Sequence, residues 1–77
     1  MYIIGQVKEF DGEVGIIISV DYYYGGEYLF LKKDLESDEI SVGDMVEFRA
    51  EKKHDTLRAY FITKRNDLDK NISILIK

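Results

Sequence analysis

Gly5-Gln6-Val7-Lys8-Glu9-Phe10-Asp11-Gly12-Glu13-Val14-Gly15-Ile16-Ile17-Ile18 reads as two strands joined by a tight turn, and this reading decides the fold. Val7, Phe10 and the preceding Tyr2-Ile3-Ile4 are β-branched or aromatic types that suit an extended, half-buried chain. A first strand is therefore expected over Tyr2 to Phe10, with Gly5 marking a bulge or a close approach within it. Asp11-Gly12-Glu13 is a turn signal. Val14 to Val20 is then a short, almost continuous aliphatic run, whose length and branching favour a strand over a helix.

Working outward, Tyr22, Tyr23 and Tyr24 lead into Gly25-Gly26, a pair that takes positive φ at low steric cost and suits a hairpin turn. Glu27 to Leu31 is the next expected strand, followed by a helical turn at Lys33-Asp34-Leu35 and a polar loop from Glu36 to Ser41. Val42-Gly43-Asp44 turns the chain into a fourth strand, Met45 to Ala50. A charged loop, Glu51 to Thr56, leads to a fifth strand, Leu57 to Lys64. Strands this short, with turn signals this frequent, predict an all-β barrel or sandwich. In so short a chain closure is preferred, because it protects edges that an open sheet exposes. The expected division is a five-stranded barrel over 1–64 and a tail over 65–77. That tail begins with a polar linker and ends in the apolar run Ile72-Ser73-Ile74-Leu75-Ile76.

The totals bound the function. Seventy-seven residues make one domain, which at this size buries only about 60% of the surface its unfolded chain exposes. Eleven Lys and Arg stand against fifteen Asp and Glu, a net charge of -4 that gives no global attraction to phosphate or to acidic membranes. A nucleic-acid site must therefore work from a local basic patch. Cysteine is absent, which excludes disulfides and thiolate zinc sites and suits a reducing cytosol. No run approaches the ~18–20 apolar residues of a membrane span. Gly5 and Lys8 interrupt the apolar start before it can form a signal-peptide core. A cytoplasmic protein is expected.

In their order, the residues from about Tyr2 to Lys64 resemble the bacterial cold-shock domain. Gly5-Gln6-Val7-Lys8-Glu9-Phe10 is similar to that family's G-K-V-K-W-F start, and Glu13-Val14-Gly15-Ile16-Ile17-Ile18 stands where it carries E-K-G-F-G-F. Glu27 to Leu35 resembles the second motif, close to D-x-F-F-H-x-S-D-L. Val42 to Phe48 resembles the approach to the fourth strand, and Arg58-Ala59-Tyr60-Phe61-Ile62 the fifth. The resemblance implies a five-stranded OB-fold barrel that binds single-stranded RNA or DNA by stacking bases on aromatics across the first three strands. This chain places Glu9 at the family's tryptophan and Ile16 and Ile18 at two phenylalanines. Leu29, Leu31 and Lys32 replace a further phenylalanine, the histidine and the last aromatic. Lys8 and Phe10 are kept. Since stacking is worth about 1–3 kcal/mol per base, these replacements imply weak binding.

Residues two apart on a strand share a face, so Ile16 with Ile18 and Leu29 with Leu31 are expected to form one outward aliphatic patch. Ile17, Tyr28 and Phe30 then fill the core. Four large aliphatics side by side call for a cover worth roughly 1.5–3 kcal/mol each. Three occupants stay open: Ile74 and Ile76 of the tail, a second copy or other protein partner, or nucleic acid. Tyr22 and Tyr23 either stack bases or pack in their hairpin. As implied by the resemblance, Lys8 and Lys32 hold phosphates, Phe10 stacks, and Arg58 contacts a base or backbone; Lys33, Lys52, Lys53, Lys64 and Arg65 add local charge.

No catalytic set is visible. His54-Asp55 lacks a nucleophile and lies in a charged segment, so it reads as surface. Asp34, Glu36 and Asp38 follow calcium-loop spacing superficially, but Glu39 stands where the loop needs glycine and Met45 where it needs glutamate. No metal, cofactor or enzymatic activity is expected.

Overall fold

Strand side chains alternate between two faces, so the apolar positions decide which residues enter a barrel. In the computed structural model, which describes residues 2–20, 25–37 and 39–65, five strands form. They are β1 (Tyr2–Phe10), β2 (Val14–Ser19), β3 (Glu27–Leu31), β4 (Met45–Lys53) and β5 (Thr56–Lys64), with a 3₁₀ turn at Lys32–Asp34. They close into a barrel in the order β1-β2-β3-β5-β4. Neighbours are antiparallel except at the seam, where β3 and β5 run parallel through Leu29 and Arg58. A second parallel bridge, Leu35 to Ile62, extends the closure past the 3₁₀ turn.

The core contains Ile3 and Val7 of β1, Ile17 of β2, Tyr28 and Phe30 of β3, Val46 and Phe48 of β4, and Ala59 and Ile62 of β5. Ile40 joins them from the segment before β4. Tyr28 and Phe48 pack with ring centroids 5.1 Å apart, within the range of favourable aromatic pairs. Gly5 is the close approach that its position in β1 suggested. A Cβ there would stand 2.6 Å from Ile17 Cγ2 and 2.8 Å from the Ile18 carbonyl oxygen.

Two expectations need correction. Glu51 to Thr56 is not a loop: β4 and β5 stay paired to Lys53 and Thr56, leaving His54-Asp55 as a two-residue turn. His54 takes φ 58, the positive value that the first position of a type II′ hairpin turn requires. The charges did not prevent pairing, because Glu51, Lys52, Asp55 and Thr56 are all exposed. Val20, expected to end the second strand, lies just outside it, although its N–H still reaches the Ile4 carbonyl over 3.0 Å. The tail over 66–77 and Tyr22, Tyr23 and Tyr24 lie outside the described residues.

Candidate nucleic-acid interface

The pairing of β2 with β3 builds the outer face. Ile16 stands opposite Leu29, Val14 opposite Leu31, and Ile18 opposite Glu27. Ile17, Tyr28 and Phe30 are buried on the inner side, so the expected sorting of faces is realised. Ile16, Leu29 and Leu31 are half-buried, while Ile18 and Val14 are exposed. Val14, which the motif comparison did not single out, completes the aliphatic stripe through its register with Leu31.

A bulge sets the first-strand side of this face. Val7 pairs with Ile17 but Glu9 pairs with Ile16, so β1 carries one extra residue at Lys8. Lys8 and Glu9 consequently both point to solvent, and Phe10 turns back toward the core. Its ring packs 5.2 Å from that of Phe30, and its uncovered side lines a shallow depression of about 380 Å³. Glu9, Asp11, Val14, Gly15, Ile16 and Leu29 form the rest of that depression. Gly15 is what lets the two phenyl rings meet there. A Cβ on it would collide with the Phe30 ring and would stand 2.6 Å from the Glu9 carbonyl oxygen.

The rim is fixed by Asp11. Its carboxylate accepts the N–H groups of Glu13 and Val14, each at 2.8 Å, and so closes the β1–β2 turn. Those backbone donors, Val14 first, hold the Asp11 carboxyl below its ordinary pKa. It stays ionised beside the depression and adds a negative charge there.

The cations are largely engaged. Lys8 Nζ pairs with Glu27 at 3.0 Å across β2, and both side chains are well exposed. An exposed pair of this kind is worth only about 0.2–1 kcal/mol, so a phosphate can compete for Lys8. Arg58 is held differently: its Nη2 donates to the buried Asp34 carboxylate at 3.0 Å, and its guanidinium lies 5.0 Å over the Tyr60 ring. Asp34 also accepts the Leu31 N–H at 2.9 Å, which fixes the end of β3. The Asp34 carboxylate is thus spent on the barrel rather than on an ion. Lys64 pairs with Asp44 and Arg65 with Glu47, so neither adds a free charge to the face. Lys32, Lys33 and Lys52 are exposed. The structure therefore gathers Lys8, Phe10, Ile16, Ile18, Leu29 and Leu31 around one surface, with Lys32 at its end, and uses Arg58 for closure.

Comparison with solved structures places this architecture. The structure of drosophila Unr CSD456 is similar with a TM-score of 0.71 and 21% identity, over 84% of this chain. The fold is that of a cold-shock domain. The chain spans 27% of the length of that neighbour. No family model and no curated protein matches the chain.

In this cold-shock barrel, the features that motif reading missed are partners rather than sites. Glu27 as the mate of Lys8 and Asp34 as the mate of Arg58 depend on strand register. Linear spacing gives no hint of either. The bulge at Lys8 had one signal: Lys8-Glu9 are two consecutive polar residues that interrupt the alternation of β1.

Proposed function

We propose that this protein binds single-stranded RNA or DNA weakly through the outer face of β1, β2 and β3, without a cofactor and without catalysing a reaction. One observation carries the reading. The cold-shock motif order is set on a cold-shock barrel, and the Phe10 depression and the aliphatic stripe lie on the outer face of β1 to β3, where the motif resemblance expects a stacking platform. Phe10 offers a ring edge, Ile16 and Leu29 offer apolar contact to a base, and Lys8 and Lys32 neutralise phosphates. Tyr22 and Tyr23, outside the described residues, are further stacking candidates from the sequence in this reading. Replacing aromatics by aliphatics removes about 1–3 kcal/mol per base, so affinity rests more heavily on phosphate contacts. The working place proposed is the cytoplasm. Among the described residues no helix is long and apolar enough to cross a membrane.

Titration of labelled oligo-dT and oligo-U by fluorescence anisotropy, over a salt series, tests this. Saturable binding that weakens as salt rises is expected. Absence of binding to either oligonucleotide at low salt contradicts it.

A second reading is favoured by the same stripe: Val14, Ile16, Leu29 and Leu31 form a continuous apolar surface suited to a protein partner or a second copy. In that case Leu29→Lys changes the assembly state measured by light scattering. A folded variant with unchanged mass removes the self-association form of that reading.

A further inference from the structure

On the outer surface of β1, β4 and β5, away from the β2–β3 stripe, lies a second set of aromatic and cationic side chains. Register places Tyr2 opposite Arg49, and Arg49 opposite Tyr60. The Arg49 guanidinium carbon is 6.0 Å from the centroid of the Tyr2 ring and 5.9 Å from that of Phe61. Both rings face solvent, Tyr2 at 54% and Phe61 at 52% exposure. Arg49, Ala50, Glu51, Tyr60 and Phe61 line an open depression of about 350 Å³.

The exposure of Phe61 is built by the backbone. Glu47 pairs with Thr63 and Arg49 with Tyr60, so Phe61 and Ile62 together face the single residue Phe48. Phe61 takes φ 54, in the left-handed region that a bulky L residue rarely adopts and that such bulges ordinarily assign to glycine. The bulge sends Ile62 into the core, fully buried, and turns Phe61 outward beside Tyr60. The bulge gives the core Ile62 and leaves a strained ring, Phe61, half in water. Strain of this kind persists where a surrounding structure holds a side chain for use.

We propose that this surface is a second nucleobase-binding site, in which unpaired bases stack on Phe61 and Tyr2 while Arg49 neutralises an adjoining phosphate. The proposal rests on the single-strand reading above and deepens it. An exposed ring stacks with any base, and a guanidinium both lies over rings and pairs with phosphate. Among the described residues Arg49 has no carboxylate partner, whereas Lys8, Arg58, Lys64 and Arg65 all have one. Its charge is therefore available to a ligand. A cation set between the two rings also selects an anionic, planar ligand over an apolar protein surface, which would have to strip water from Arg49 without pairing it. The two faces share β1: Gln6 pairs with Ile18 on one side and with Met45 on the other. A single strand crossing β1 passes from one site to the other.

Anisotropy titrations of labelled oligo-dT with the full chain and with Phe61→Gly, Arg49→Gln and Ile16→Thr separate the possibilities. Glycine suits the left-handed φ of residue 61, and Arg49 is exposed, so both variants are expected to melt cooperatively by circular dichroism. Each is expected to weaken binding about fivefold or more, the lower end of one lost stacking contact. Binding by Phe61→Gly and Arg49→Gln within twofold of the parent, with Ile16→Thr impaired, overturns this site and leaves the β1–β3 reading standing. Loss of binding in the parent chain itself overturns both.

Discussion

Arg58 and Asp34 are joined across the closing seam of the barrel: Nη2 of Arg58 lies 3.0 Å from Oδ2 of Asp34, whose side chain is only 6% exposed. The same carboxylate oxygen accepts the N–H of Leu31, so one buried group ties the end of β3 to β5. Asp34→Ala leaves a largely buried guanidinium without its counter-charge and an N–H without its acceptor. A loss of about 2–4 kcal/mol is expected, measured by urea denaturation. A variant within about 0.5 kcal/mol of the parent, on the scale of a neutral surface change, contradicts the closure role.

Gly15 admits the Phe30 ring where a methyl group cannot stand. Because the Glu9 carbonyl oxygen also lies 2.6 Å from the missing Cβ, moving the ring alone does not relieve the clash. Gly15→Ala is expected to destabilise the barrel by about 2–3 kcal/mol, toward the upper end of overpacking costs. An unchanged urea midpoint shows instead that β1 and β2 separate easily at this point.

The Asp11 carboxylate gives the turn a pH signature. Two backbone N–H donors lower its pKa in the folded protein, so it contributes stability that is fully present above its unfolded-state value. That contribution is lost as pH falls through the lowered folded value. The urea midpoint of the parent is expected to exceed that of Asp11→Ala at neutral pH, and the difference is expected to shrink on acidification below the ordinary carboxylate range, about 4. A difference that stays constant to the lowest accessible pH contradicts the assignment.

Lys8 separates stability from binding. Its pair with Glu27 is exposed on both sides, so Lys8→Gln is expected to cost less than about 1 kcal/mol of folding stability. In the oligonucleotide titration the same variant is expected to lower the slope of log affinity against log salt by about 0.7, one phosphate contact on a single strand. A salt dependence identical to the parent removes Lys8 from the interface.

Much of the barrel is legible along the chain because alternation and turn residues act locally. Val14-Gly15-Ile16-Ile17-Ile18 and Tyr28-Leu29-Phe30 announce which side chains go inward, and Gly5 announces a close approach. Bulges are less legible. The extra residue at Lys8 returns Phe10 to the core, and the one at Phe61 reverses the facing of everything after Tyr60. Tyr60-Phe61-Ile62 held a partial signal, since three successive large apolar residues cannot all point inward on a regular strand. Ion pairs were not legible at all. Lys8 finds Glu27 and Arg58 finds Asp34 only after strands distant in sequence take their register, and that register is set by the core rather than by the charges.

The central claim, that this cold-shock barrel presents single-strand-binding surfaces on its outside, is tested most directly by a nitrogen-15 NMR titration with unlabelled oligo-dT and oligo-U. The account predicts saturable shifts clustered at Lys8, Phe10, Ile16 and Leu29, and a second cluster at Arg49 and Phe61. The buried inner positions of β4, Val46 and Phe48, are expected to move little. A spectrum unchanged at high oligonucleotide concentration and low salt would contradict it.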